Sequence, residues 1–308
     1  MKKTAIGMLL VVILCFGCGD GNVEENEEKE LQTMEETPVQ SEAEKMNPDQ
    51  WVEGHVTGVS FDHGVTQEDI LKIAGLKNLK HLDIAISDTE QDIDLSPLGS
   101  LTELQELSIY FYTEPDHVDL SFIKKLHNLK SVFIDRCTEG LDLSLFENLV
   151  YLQELRVAYM DDVDLSCLAN CKNLREVHIV GEHIRNLDGI TGAAYLRTLY
   201  LCDNTRNRNS DDETPIDLHA LSSMSKLEEL YLVDIDVADV TPISELGNLG
   251  YLVLSNTGIQ DVEALRNLES LYNLEIFGNK SEKVKEQVEM YMKHVETVTV
   301  TEDVPYGF

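Results

Sequence analysis

The stretch Leu76-Lys77-Asn78-Leu79-Lys80-His81-Leu82-Asp83-Ile84 decides the fold, because the chain keeps returning to it. It recurs as LTELQELSI (101–109), LHNLKSVFI (126–134), LVYLQELRV (149–157), CKNLREVHI (171–179), AAYLRTLYL (193–201), MSKLEELYL (224–232), LGNLGYLVL (246–254) and LESLYNLEI (268–276). The second apolar position falls at Leu79, Leu104, Leu129, Leu152, Leu174, Leu196, Leu227, Leu249 and Leu271. The steps between these leucines are 25, 25, 23, 22, 22, 31, 22 and 22 residues. Val56, Val59 and Phe61 repeat the same offsets 23 residues before Leu79, Leu82 and Ile84.

A period of this length marks an array of identical supersecondary units. The last two apolar residues of each unit are two apart, so they face the same side of a short strand. A single unit cannot bury that side alone, so units stack and share one core. The expected architecture is an α/β leucine-rich repeat solenoid. A curved parallel sheet lines its concave face, with short turns or 3₁₀ segments on the convex face.

A second pattern lies between the strands: DLSPL, DLSFI, DLSLF, DLSCL, NLDGI, DLHAL, DVTPI and DVEAL. These begin at Asp94, Asp119, Asp142, Asp164, Asn186, Asp217, Asp239 and Asp261. So little chain remains on the convex side that only a turn or a few residues of 3₁₀ helix fit. Asp or Asn suits the start of such a turn, since its side chain accepts from otherwise unpaired N–H groups. One carboxylate per unit is a poor calcium cage, which weighs against a metal ladder. No metal or cofactor is expected.

L-x-x-L-x-x-L-x-L followed by D-[IVL]-[ST]-P-L resembles the short bacterial leucine-rich repeats of about 22 residues, of which internalins are the best-known group. The resemblance covers residues 76–279. It implies a solenoid and a binding role, and says little of the partner. Members of that group usually place Asn after the strand to bond backbone inside the turn. Here only Asn204 and Asn279 stand there; the other units carry Ser87, Tyr112, Cys137, Met160, Glu182, Ile235 and Thr257.

The flanks divide into further segments. The chain begins MKKTAIGMLLVVILCFGCGDGN, with Lys2 and Lys3 before 12 uncharged residues, Ala5–Phe16. A run of that length is too short to span a bilayer, which takes roughly 20 residues. It suits the apolar part of an export signal. Gly17-Cys18 after it resembles a bacterial lipoprotein signal, which implies cleavage before Cys18 and lipidation there. The departure is Cys15-Phe16, where such signals have Leu and then a small residue; Cys15 competes, but Leu14 before it is large for a cleavage site. Residues 1–17 are thus the expected signal. Residues 18–50 are the expected tether: positions 19–50 hold 11 acidic and 2 basic residues and no aromatic. Such a segment cannot bury enough surface to offset its chain entropy. Residues 51–78 are the expected N-terminal cap, 79–279 the repeats, and 280–308 a helix-and-strand cap. The expected location is the cell membrane or outer membrane, held by lipid.

With 57 acidic against 24 basic residues, the formal net charge is -33. Nucleic-acid backbones and anionic headgroups repel such a surface. A partner with a basic rim fits it. The sequence sets no oligomeric state.

Candidate contact residues follow from the strand period. Between the paired apolar positions stand Asp83, Ser108, Phe133, Arg156, His178, Tyr200, Tyr231, Val253 and Glu275, with Tyr110, Tyr112, Tyr159 and Tyr251 close by. The expected partner-binding set is Tyr110, Phe133, Arg156, Tyr159, His178, Tyr200, Tyr231 and Tyr251. Aromatics and Arg are the residue types that anchor interfaces. Glu106, Glu154, Glu176 and Glu229 should rim that row, and the row from Phe133 to Tyr231 should run roughly 19 Å. His178 reads as a surface packing residue, and no nucleophile has an acid and base at fixed spacing, so the chain is not expected to be an enzyme. The surplus between Leu196 and Leu227, residues 202–216, reads as a polar loop at one edge. Cys171 replaces a core leucine of the repeat. The leading functional expectation is a protein- or peptide-binding envelope lipoprotein; the alternative is a structural or scaffolding one.

Overall fold

A computed structural model describes residues 56–87, 93–112, 118–136, 141–160, 163–184, 186–203 and 215–304. The expected signal, Cys18, the tether, Cys137, Asn204 and most of the 202–216 loop lie outside the described residues.

Among the described residues, eleven strands form one parallel sheet in strict chain order. They are β1 (Gly58–Gly64), β2 (His81–Ile86), β3 (Glu106–Phe111), β4 (Ser131–Asp135), β5 (Glu154–Met160), β6 (Glu176–Gly181), β7 (Thr198–Asp203), β8 (Glu229–Val233), β9 (Tyr251–Ser255), β10 (Asn273–Phe277) and β11 (Thr297–Val300). Helix α1 (Gln67–Ala74) follows β1, and helix α2 (Glu282–Tyr291) precedes β11. Between the inner strands, among the described residues, stand eight 3₁₀ segments, from Ser96–Ser100 to Glu263–Asn267. This is a leucine-rich repeat solenoid.

The leucine spacing becomes strand register. Leu82 pairs with Leu107, Leu107 with Val132, Val132 with Leu155, and the series continues through Val177, Leu199, Leu230, Leu252 and Leu274. These side chains and the marker leucines are buried in one continuous core. Each such residue contributes about 1.5–3 kcal/mol on leaving water.

Every Asp or Asn of the second pattern caps its turn in the same way, two residues ahead. The N–H groups of Ser96, Ser121, Ser144, Ser166, Asp188, His219, Thr241 and Glu263 donate to the side chains of Asp94, Asp119, Asp142, Asp164, Asn186, Asp217, Asp239 and Asp261 at 2.8–3.3 Å. The carboxylates are therefore engaged with backbone. Turns stack closely enough that a Cβ at Gly189 would strike the Leu165 carbonyl of the coil before.

A second ladder was not anticipated from the sequence. Asn128, Asn173 and Asn248, each just before a marker leucine, donate to the carbonyls of Thr102, Val150 and Ser225 in the preceding coil, at 2.8, 2.7 and 2.5 Å. Asn279 donates to the Ile259 carbonyl while accepting from the Ser281 N–H. Asparagine is thus used mainly ahead of the strand, tying coil to coil. Thr66 and Asp69 form a capping box at the start of α1, and β11 pairs in parallel with β10 to end the described sheet.

The turn carboxylates make stability sensitive to acid. Hydrogen bonds from Ser96, Ser166 and Thr241 hold Asp94, Asp164 and Asp239 below the ordinary carboxylate range. Lys283 first, then the Glu263 N–H and Gln287, bring Asp261 to about 2. A folded-state pKa below the unfolded one gives stability that is present above the unfolded value, about 3.9, and lost as pH falls through the folded value. Stability should therefore decline between about pH 5 and pH 2. Replacing all four by Asn keeps a cap and removes the titration. Urea unfolding from pH 6 to pH 3 should then show a shallower fall than the native chain. Asp142→Ala, by contrast, should cost about 1 kcal/mol at pH 7.

Candidate concave-face site

Strand alternation sends every second side chain away from the core, and register turns those positions into rows. The middle row runs Asp83, Ser108, Phe133, Arg156, His178, Tyr200, Tyr231, Val253 and Glu275. On one side runs the row His81, Glu106, Ser131, Glu154, Glu176, Thr198, Glu229, Tyr251 and Asn273. On the other, Ala85 pairs with Tyr110 and Tyr110 with Asp135, and beyond them Ala158, Val180, Cys202, Val233, Ser255 and Phe277 continue the line. The expected aromatic row is therefore contiguous, with the acidic residues beside it.

The structure divides that face in two. From β6 onward it is a packed layer. His178 stacks on Tyr200 with ring centroids 5.8 Å apart; Tyr200 lies 5.6 Å from Tyr231, Tyr231 5.4 Å from Tyr251, and Tyr251 6.3 Å from Tyr272. Tyr200 has no exposed surface, and His178, Tyr231 and Tyr159 are buried as well. Tyr159, Tyr200 and Tyr231 join Ala158, Val180, Cys202, Val233, Val253 and Phe277 in a second apolar cluster on this side of the sheet. His178 is thus a buried residue and not a surface one, and Tyr159, Tyr200 and Tyr231 offer a partner little surface. The physical reason is size: aromatic rings on neighbouring strands, about 4.8 Å apart, cover one another. Tyr159 reaches the cluster from a bulge where β5 slips against β6, with φ of 66°.

Two of the ladder's phenols are paired with carboxylates. Tyr231 donates its hydroxyl to Glu229 at 3.2 Å, and Tyr251 donates to Glu275 at 2.7 Å. Burial first, then the neighbouring carboxylates, push both phenols well above their ordinary range. Burial, helped by Arg156, brings His178 down to about 3, so it is neutral at physiological pH. Burial raises the Cys171 thiol to about 11. Cys171 sits in the repeat core, as its leucine-equivalent position implied.

The accessible part lies on β2 to β4 and just after β3, bounded at β5 by Ala158 and Tyr159 of the packed cluster, against which Phe133 also rests. Tyr110 is 38% exposed and Tyr112 48%, while Phe133 is half-buried. Tyr110 and Phe133 lie 4.9 Å apart, tilted by 36°. Ala85 and Ser108, both small, stand next to Tyr110 and Phe133 across the strands. Arg156 pairs with Glu176 at 2.8 Å, and His81 with Glu106 at 2.8 Å. Asp135, which follows Phe133 by two, was not among the expected contacts; the strand period alone places it on this face.

Among solved structures, an internalin of Listeria monocytogenes is 18% identical, covering 78% of this chain and 84% of its own, with a TM-score of 0.56. Toll of Drosophila, solved in complex with Spätzle, is 12% identical, covering 80% of this chain and 36% of its own, also with a TM-score of 0.56. At those identities the likeness is one of fold: a leucine-rich repeat solenoid. A scan of protein-family models matches none, and a search of curated proteins finds no relative.

The division predicts unequal costs. Tyr200→Ala removes a fully buried ring and should lower stability by about 3 kcal/mol or more. Tyr110→Ala, at an open position, should cost about 1 kcal/mol or less. Urea unfolding of the two variants at pH 7 checks both.

Proposed function

We propose that this chain is a non-catalytic, lipid-anchored envelope protein that binds a protein or peptide partner through the open half of its concave face. The observation that carries the reading is the exposed pair Tyr110 and Tyr112, with the half-buried Phe133 against Tyr110, on and just after β3 and β4 beside a rim of carboxylates. Aromatic residues on a stiff support anchor interfaces at low entropic cost. A solenoid of the same fold, Toll, has been solved bound to Spätzle, which is consistent with such use of the scaffold. His178 and Cys171, the groups otherwise best suited to chemistry, are both held in neutral, buried forms, which favours binding over catalysis.

The anchor is carried by sequence alone: Lys2 and Lys3, the apolar run, and Gly17-Cys18. Several acyl chains on Cys18 would hold firmly where one chain is marginal. The tether 18–50 would hold the solenoid off the membrane. Its negative charge and that of the whole chain favour a partner with a basic rim.

Two measurements test this. Cys18→Ser should abolish labelling by a fatty-acid probe and move the chain out of the membrane fraction; unchanged labelling overturns the anchor. Photo-cross-linking from Ser108 in the native cell should yield a defined adduct that Tyr110→Ala/Tyr112→Ala/Phe133→Ala reduces at least fivefold. An adduct insensitive to that triple change overturns the concave-face reading, and favours a scaffold that works through its other surfaces.

A further inference from the structure

We propose that the outer edge of β11 docks β11 of a second copy of this chain, so that two solenoids pair end to end as a two-fold dimer. The sequence from Glu296 to Glu302 reads ETVTVTE, the same in both directions. β11 is the last strand of the sheet and, among the described residues, pairs only with β10. The Thr297 and Thr301 N–H groups donate to the Tyr272 and Ile276 carbonyls, and the Thr301 carbonyl accepts from the Asn279 N–H. Bonding groups alternate sides along a strand, so the N–H and carbonyl groups of Val298 and Val300 point outward, away from β10. Side chains alternate as well. Val298 and Val300 stand in register with Leu274 and Ile276 on the core side, and Thr299 with Glu275 on the concave side. Val298, at the open end of the core, is left 38% exposed.

That edge fits a copy of itself. With Thr299 on the axis of an antiparallel pair, Val298 faces Val300 of the second copy, and Val300 faces its Val298. Both pairs are then of the hydrogen-bonded kind and give four N–H···O bonds, while Thr299 faces its counterpart in the close, non-bonded kind. Valine meets valine on the core side and threonine meets threonine on the concave side, both favourable cross-strand pairs. The pairing covers Val298 and the row of unpaired backbone groups that a sheet edge presents. Residues 297–301 carry no charge, although the chain as a whole is strongly acidic. Glu296 meets Glu302 of the second copy beside Lys285, which already pairs with Glu302 at 3.3 Å. The two ends of the sheet differ. β1 carries a register shift between Ser60 and Gly64, of the kind that spoils edge pairing, whereas β11 runs regularly against β10. Past Thr301 the chain bends, and Val304 packs on the concave-side cluster. Area sets the strength: one strand edge buries less than the roughly 1,200 Å² of a stable interface, so the dimer is reversible. A dimer also carries two concave faces, so weak contacts with a bivalent partner reinforce each other.

Cysteine cross-linking of the purified full chain tests the register, at about 0.5 M salt, where repulsion between two acidic copies is screened within about 4 Å. Thr299→Cys, whose two copies meet on the axis, should oxidise to a linked dimer at least tenfold faster than Thr297→Cys or Thr301→Cys. Each of those lies about 13 Å from its own counterpart, too far for a disulfide. A mixture of Thr297→Cys and Thr301→Cys chains should link readily, because these positions face each other. The native chain, with Cys167 partly exposed, sets the background. Val298→Pro removes an N–H that the single chain leaves unbonded, so it keeps the fold and takes away two of the four bonds. It should weaken the dimer at least tenfold in sedimentation equilibrium, with the melting transition within a few degrees of the native one. Should it melt early, Thr299→Lys sets two like charges face to face on the axis and should weaken the dimer to the same degree. Equal linking of Thr297→Cys and Thr299→Cys, a dimer that both Val298→Pro and Thr299→Lys leave intact, or a native chain that stays monomeric at roughly 200 µM overturns the proposal. Linking of Thr299→Cys in the native cell to another protein, with none to its own copy, gives the edge to another chain's strand and also overturns it.

Discussion

No coil of this chain can bury its own leucines, and everything else follows from the way that is solved. Each unit contributes a short strand with two inward apolar residues, and only the coils before and after it can cover them. The coils must therefore stack in register, and the pairing from Leu82 through Leu274 shows that they do. Once that register exists, residues at equal offsets become neighbours, however far apart they are in the chain. The turn carboxylates, the inter-coil asparagines and the concave rows are all consequences of it.

The same register has different outcomes along the concave face. On β7 and β8 it brings Tyr200 beside Tyr231, and large rings stack until they exclude solvent. On β2 and β3 it brings Asp83 beside Ser108 and Ala85 beside Tyr110, and Tyr110 stays exposed. One half of the face is thus spent on stability and the other is open to contact. Carboxylates frame both halves: in the packed half Glu229 and Glu275 accept from phenols, and in the open half burial raises Asp83 and Asp135 above the ordinary range.

Much of this could be read from the sequence because repetition removes ambiguity. The marker leucines gave the register directly, and the recurring Asp or Asn before each turn gave the caps, since only a short acceptor at that position reaches an N–H two residues ahead. Burial was harder to read. Tyr200 and Tyr110 stand on the same face by strand period, and nothing in their immediate sequence separates a closed ring from an open one; that depends on the bulk of neighbours 22 to 31 residues away. His178 was misjudged for the same reason. The inter-coil asparagines are legible only as a recurrence, Asn128, Asn173 and Asn248 standing at one offset just ahead of the marker leucine, because the carbonyls they reach lie 23 to 26 residues away in the coil before. Asp135 shares the concave face through strand period, as the cross-strand neighbour of Tyr110.

The central claim is that register divides the concave face into a closed aromatic ladder and an open aromatic contact site. Hydroxyl-radical footprinting of the intact chain, read residue by residue by mass spectrometry, tests it most directly. Tyr110, Tyr112 and Phe133 should be modified readily, with Tyr200, Tyr231 and Tyr159 strongly protected. Equal modification of Tyr200 and Tyr110 would contradict the account.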